Sequence, residues 1–277
     1  MRTNLKITNS LNMISEMSGD STFQILEFDD LKGTPSIKTA KDLFYMKESG
    51  MRLRQVRILL EDSSVRVQAG ALSYLKGNIE MSNKMGGLLG LGKKLIGGNV
   101  TGESTFKPIY SGTGEMFLEP SFGHYALIEL EDDEIVVDDG LFFACEAEVK
   151  VGTAAQKTIS AAFLGNEGFF QTKLQGNGIA VLELPVPESE IFKCILINDT
   201  LKVDGNFAVL RTGDIEFSVE KSSKSIIGAA TSGEGFVNVY RGTGEVWLMP
   251  TKDIYNRISG YDVSPLMGNQ GSSNTKV

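Results

Sequence analysis

Histidine is nearly missing from this sequence: His124 is the single one in 277 residues. That excludes zinc cages built on histidine, the two-histidine facial triad and the H-E-x-x-H helix. A serine nucleophile would have to recruit His124 from the stretch SFGHY, and no G-x-S-x-G surrounds any serine. His124 therefore reads as a surface turn residue. Cysteine is equally scarce. Cys145 and Cys194 show no C-x-x-C spacing and each sits in an apolar strand-like run, the setting of a free buried thiol in a cytoplasmic protein. No metal and no other cofactor is expected. Positive charge is in short supply too, with 27 Lys+Arg against 35 Asp+Glu and a net charge of −8. Phosphate neutralisation dominates nucleic-acid affinity, so this balance argues against RNA or any general polyanion as partner. The longest apolar run, Met85–Gly92, is too short to cross a bilayer. The opening MRTNLKITNSLNMISEM carries no signal-peptide pattern.

What the sequence does have is a repeat. Thr101–Pro120 (TGESTFKPIYSGTGEMFLEP), Asn166–Leu184 (NEGFFQTKLQGNGIAVLEL) and Ser232–Pro250 (SGEGFVNVYRGTGEVWLMP) align on an aromatic, Phe106, Phe170 or Phe236, six positions before a G-x-G. The glycine pairs are Gly112/Gly114, Gly176/Gly178 and Gly242/Gly244. Upstream of each block a strand-like run enters an acidic turn: VRILLED from Val56, ALIELEDD from Ala126 and CILIND from Cys194. A second short strand, a glycine and a third strand follow. Asp, Asn and Gly between β-branched runs are hairpin chemistry, and Asn177-Gly178 is the strongest such signal. Strands such as Ile179–Leu184 and Glu245–Met249 are apolar at most positions, as in strands covered on both faces. Ahead of the repeats, Met1–Asp20 reads as a frayed leader or short helix and Phe23–Gly50 as short strands.

Two motifs fall to bland readings. Gly87–Lys94 nears the phosphate-loop pattern but has Lys94 where the magnesium-binding hydroxyl belongs. Glu129–Glu134 with Asp138 and Asp139 lacks the EF-hand order and reads as solvated turn residues, with a weak calcium site as the alternative. The connectors are more informative. Lys93, Lys157 and Lys224 each lie ten residues before Glu103, Glu167 and Glu234, in runs (GKKLIGG, QKTISAA, SKSIIGA) that suggest one replicated helical turn. About a pseudo-threefold axis these six residues form a ring on one face. They either pair as surface clips or bind an anion or lipid headgroup beside a Gly/Leu-rich loop.

The string GALSYLKGNIEM, then GGLLGLGKKLIGG, GESTF and SGTGEMFLEP, resembles the altered-inheritance-of-mitochondria protein 24 family over roughly Met51–Gly260. The resemblance implies a fold similar to the tryptophan RNA-binding attenuation protein: all-β, with three double-stranded β-helix or sandwich repeats around a pseudo-threefold axis. The family's mitochondrial members are associated with inner-membrane and cristae organisation, and the resemblance carries over no catalytic residue. The expected organisation is an N-terminal extension over 1–50, three repeats over 51–125, 126–193 and 194–260, and a flexible tail over 261–277. The expected function is a non-enzymatic scaffold or interaction protein, cytoplasmic and peripheral to a membrane, whose partner is an anionic membrane surface or another protein. The alternative is a small-ligand or RNA-binding regulator of attenuation-protein type.

Overall fold

The structure is a computed structural model that describes residues 2–6, 11–82, 107–138, 140–154, 171–221 and 236–259. The chain divides into two compact units, Met1–Pro185 and Val186–Val277.

The first unit is built from antiparallel strands and one helix. In chain order they are β1 (Leu11–Ser18), β2 (Ser21–Phe28), α1 (Ile37–Glu48), β3 (Arg54–Val67), β4 (Leu72–Ser82), β5 (Ile109–Leu118), β6 (His124–Asp138), β7 (Phe142–Glu146), β8 (Lys150–Thr153) and β9 (Gln171–Leu184). The hydrogen-bonded order is β1-β2-β3-β7-β9-β6, with β5 also paired to β3, β4 to β5, and β8 to β9. Alternation supplies the core: Phe23 and Ile25 on β2 and Val56, Ile58 and Leu60 on β3 point one way and are buried with Met116, Leu118, Ile179 and Val181. Each such side chain stabilises the fold by about 1.5–3 kcal/mol relative to exposure.

The second unit holds β10 (Phe192–Val203), β11 (Ala208–Thr212), β12 (Asp214–Lys221), β13 (Phe236–Leu248) and α2 (Lys252–Ser259). Long β13 is bordered by β10 along one edge and by β11 and then β12 along the other. Its core is Leu196, Val203, Ala208, Ile215, Tyr240 and Val246.

The all-β expectation holds, with three corrections. The leader forms strand β1, not a frayed end or helix, because it zips onto β2 across Gly19-Asp20. Within Phe23–Gly50 only β2 is a strand. Ile37–Glu48 is helical, started by Ser36, whose hydroxyl accepts from the Thr39 amide at 3.3 Å, and followed by Gly50 at φ +75°. The third correction is the largest. No G-x-G is a hairpin turn and no acidic stretch ends a strand, for all of them lie inside long strands: β3 with β5, β6 with β9, β10 with β13.

Candidate functional site

The three strand pairs share one local device. In β3–β5, Glu61 faces Thr113 and Ser63 faces Gly112, so Asp62 is an extra residue with φ +55°. In β6–β9, Asp132 (φ +59°) is extra between Glu131, opposite Asn177, and Asp133, opposite Gly176. In β10–β13, Asn198 (φ +50°) lies in the gap between Leu196, opposite Gly244, and Asp199, opposite Gly242. These are β-bulges, and Asp and Asn occupy them because their short polar side chains tolerate the left-handed region. The middle residue of the facing G-x-G caps each bulge. Thr113 Oγ1 accepts from the Asp62 amide at 3.0 Å, Asn177 Oδ1 from Asp132 at 2.8 Å, and Thr243 Oγ1 from Asn198 at 3.0 Å.

The glycines are required by what crosses them. A Cβ on Gly112 would strike the Asn78 carbonyl of β4, and one on Gly242 the Asp214 carbonyl of β12. In the middle pair the third strand is interrupted between β7 and β8, and Glu146 closes the gap. Its carboxylate, 3 % exposed, accepts from the Ser21 amide (2.8 Å) and the Ile179 amide (3.0 Å) and lies over Gly178. Sequence reasoning missed Glu146. The available signal was ACEAEV standing where the other two copies carry a glycine, Gly77 or Gly213.

On the opposite side, the first and third pairs present a matching trio. Arg57 faces Phe117 across the ladder, with its guanidinium 5.6 Å from the ring centroid and Nε 2.9 Å from Glu115. Lys193 likewise faces Trp247, its ammonium 4.5 Å from the ring centroid and 3.4 Å from Glu245. Tyr74 stacks on Phe117 at 4.5 Å, and Trp247 Nε1 donates to Glu245 at 2.7 Å. Arg57 holds the Glu115 carboxyl below its ordinary range through these hydrogen bonds, against a smaller opposing effect of burial. The shared G-T-G-E-x-aromatic string was the sequence signal for both trios. Trp247 is half-buried under Lys193 and Leu248 is half-buried next to buried Val246, so full cover on both faces is realised in β9 and not at the end of β13.

Beside the second trio the outward side of β10 is apolar. Ile195 is 74 % exposed and Ile197 78 %, on the side of β10 that also carries Lys193, while Phe192, of the other parity at the strand's start, is 59 % exposed. Nearby, Glu190 accepts from Thr251 Oγ1 and from the Tyr255 hydroxyl at 2.8 Å, which ties the start of α2 to the chain before β10. That bond to an anion raises the Tyr255 pKa.

The six residues singled out from the connectors, Lys93, Lys157, Lys224, Glu103, Glu167 and Glu234, lie outside the described residues, as do Gly87–Lys94 and Asp139. Glu129 and Glu131–Glu134 are exposed strand residues around the Asp132 bulge, with Glu134 paired to Lys173 at 2.6 Å. No group of three or more His, Cys, Asp or Glu able to hold a metal occurs among the described residues. Cys145 and Cys194 are free thiols, and burial pushes Cys145 up to about 12. His124 opens β6 with Nδ1 3.2 Å from Arg54, and no described helix is long and apolar enough to cross a membrane.

Repeated bulged ladders in antiparallel sheets, two of them carrying a cation–aromatic–carboxylate trio, define an all-β protein. The family model for mitochondrial biogenesis protein AIM24 matches residues 45–251, and the chain belongs to that family. It is similar to an uncharacterized protein of Streptococcus pyogenes serotype M6, 28% identical over 210 residues, which covers 73% of this chain and 83% of the relative. Among solved structures it is similar in fold to the crystal structure of a Streptococcus pyogenes protein. That likeness has a TM-score of 0.53 and 23% identity, and covers 75% of this chain and 93% of the other.

Proposed function

We propose that this protein is a non-enzymatic β-scaffold that self-associates through the outward face of β10. The observation that carries this reading is the exposure of Ile195 and Ile197 along a strand bordered, among the described residues, by β13 on one edge, with the Lys193–Trp247–Glu245 trio at its rim. Edge strands with apolar faces are association templates unless covered, and aromatic residues rimmed by both charges are typical of protein interfaces. Sedimentation velocity tests it: the parent sediments as a dimer or larger, and Ile195→Lys with Ile197→Lys sediments as a monomer with an unchanged far-ultraviolet spectrum. A monomeric parent at high concentration would refute it.

Attachment to a membrane surface is a second reading, supported by α2. Ile254, Tyr255 and Ile258 are exposed at helical spacing, with Lys252 and Arg257 on the same short helix, the composition of an interfacial helix. Spinning the same proteins with phosphatidylglycerol vesicles separates the readings, because membrane attachment through α2 survives the β10 substitutions. We infer further that the three bulged ladders derive from one unit repeated about a pseudo-threefold axis, which an experimental structure tests directly.

A further inference from the structure

Beside α1 lies an open-sided cavity of about 320 Å³, between the helix, the segment that joins it to β2, and residues Met51–Leu53 that lead into β3. The face that α1 turns to this space is Ala40, Leu43, Phe44 and Lys47, the spacing of one helical stripe. Leu53 and Phe122 are among the residues that line it with them. No residue of α1 is buried, and Phe44 is 59 % exposed. A helix of 12 residues draws most of its stability from packing an apolar face, and here that face borders open space rather than the core. Asp30 holds the arrangement in place: its carboxylate binds Lys47 at 2.6 Å and also Arg52, and these bonds lower its pKa. One carboxylate thus gathers two cations at the cavity wall. Lys32 is a third, and Asp29, which accepts from Asn12 at 3.0 Å, is the only other acid among the lining residues. In a chain of net charge −8, this is an apolar space with a local surplus of positive charge.

We propose that this cavity binds a single-chain amphiphile with an anionic head, its alkyl chain against Leu43, Phe44, Leu53 and Phe122 and its head at Lys47 and Arg52. Its volume lies at the small end of ligand pockets, which suits one chain and not a two-chain lipid. Burying the α1 face on the chain supplies the packing the helix lacks. Most of the lining precedes or only just enters the family segment that begins at residue 45, so the site is an addition to the shared β-body. It is independent of the association proposed for β10.

Dodecanoate below its micelle concentration is the probe, with dodecyltrimethylammonium as the control of opposite charge, each measured by calorimetry and thermal melting of the full chain. Dodecanoate is expected to bind saturably at one site and raise the melting temperature, while the cationic control does neither. Ala40→Trp fills the cavity and Arg52→Gln removes a head contact while leaving Lys47 on Asp30. Each should weaken dodecanoate tenfold or more. Because Ala40→Trp could instead unseat the helix, its circular dichroism is compared with the parent, and Arg52→Gln stands as the independent arm. Sedimentation with phosphatidylcholine vesicles doped with single-chain lysophosphatidylglycerol tells the sources apart: pelleting that needs the dopant and that Ala40→Trp abolishes marks a bilayer source, and binding of free dodecanoate alone marks a soluble one. Equal binding of both amphiphiles, dodecanoate binding that neither substitution weakens, or binding from neither source overturns the proposal.

Discussion

The middle ladder and its two neighbours in sequence solve one problem in different ways. All three must accommodate an extra residue in one strand, and all three cap it with the central residue of G-x-G. In β3–β5 a third backbone, β4, runs straight over the glycines, and in β10–β13 β12 does the same. Over β9 the third strand breaks, and a carboxylate replaces the missing backbone as hydrogen-bond acceptor for the Ile179 amide. The outward faces differ accordingly. Arg57 and Glu115 are half-exposed over a buried Phe117, and Lys193 and Glu245 flank a half-buried Trp247, whereas the corresponding β9 residues Ile179 and Val181 are buried and uncharged. The same glycine pair thus serves close backbone approach in two ladders and a side-chain seat in the third.

That difference is broken most sharply at the glycines. Gly112→Ala and Gly242→Ala place a methyl group into a carbonyl at φ +137° and +133°. Each should cost about 3–5 kcal/mol, strain and overpacking together. Gly176 has φ +116° but only the Glu148 carbonyl, 3.7 Å away, so Gly176→Ala should cost about 1–2 kcal/mol from backbone strain alone. Urea denaturation of the three variants gives the ranking, and equal losses at all three positions would erase the distinction between the ladders.

Glu146 comes next. Glu146→Ala strands the buried amides of Ser21 and Ile179, each costing about 1–3 kcal/mol when unpaired, so a loss of about 2–6 kcal/mol is expected. Glu146→Gln keeps one acceptor but turns its amide group toward the other donor, and about half that loss should follow. If Glu146→Ala matches the parent in the same denaturation, the carboxylate is not the substitute for a strand.

The strands themselves were legible because alternation at Phe23/Ile25 and Val56/Ile58/Leu60 is a direct print of the pleat. The bulges were not. Asp62, Asp132 and Asn198 belong to the residue types that also form turns, and a positive-φ residue inside a strand has the same local preference as one between strands. Telling the cases apart needs the partner strand, which is 45 to 51 residues away in the caps at Thr113, Asn177 and Thr243. Helix α1 was hidden by Phe44, Tyr45 and Met46, consecutive bulky residues that mimic a short strand, while its own apolar stripe meets a cavity. Of the site, the G-T-G-E-x-aromatic string was visible in sequence. Its cations were not, since Arg57 and Lys193 lie on another strand of the ladder.

The smallest expected effect separates the two outward trios. Arg57 sends Nε and Nη2 to Glu115 and Nη1 to Gln24 at 3.3 Å, a planar fork pinned on two sides. Lys193 makes one ion pair, at 3.4 Å, and its side chain is 59% exposed. Both cations lie over rings, a contact worth about 0.5–1 kcal/mol at exposed sites. Arg57→Gln should therefore cost about 1 kcal/mol and Lys193→Gln about 0.5 kcal/mol or less. Salt distinguishes them further, because the exposed Lys193 pair is screened and its small effect should vanish in molar sodium chloride. The pH dependence has a definite sign. Glu115 titrates below its ordinary value of 4.5 in the folded chain, so its contribution is fully present above that value and lost as pH falls through the folded pKa. Arg57→Gln removes the main cause of that depression and should flatten this part of the acid limb. A variant whose acid limb stays as steep as the parent's would show that the Arg57 fork orders the surface without holding the charge.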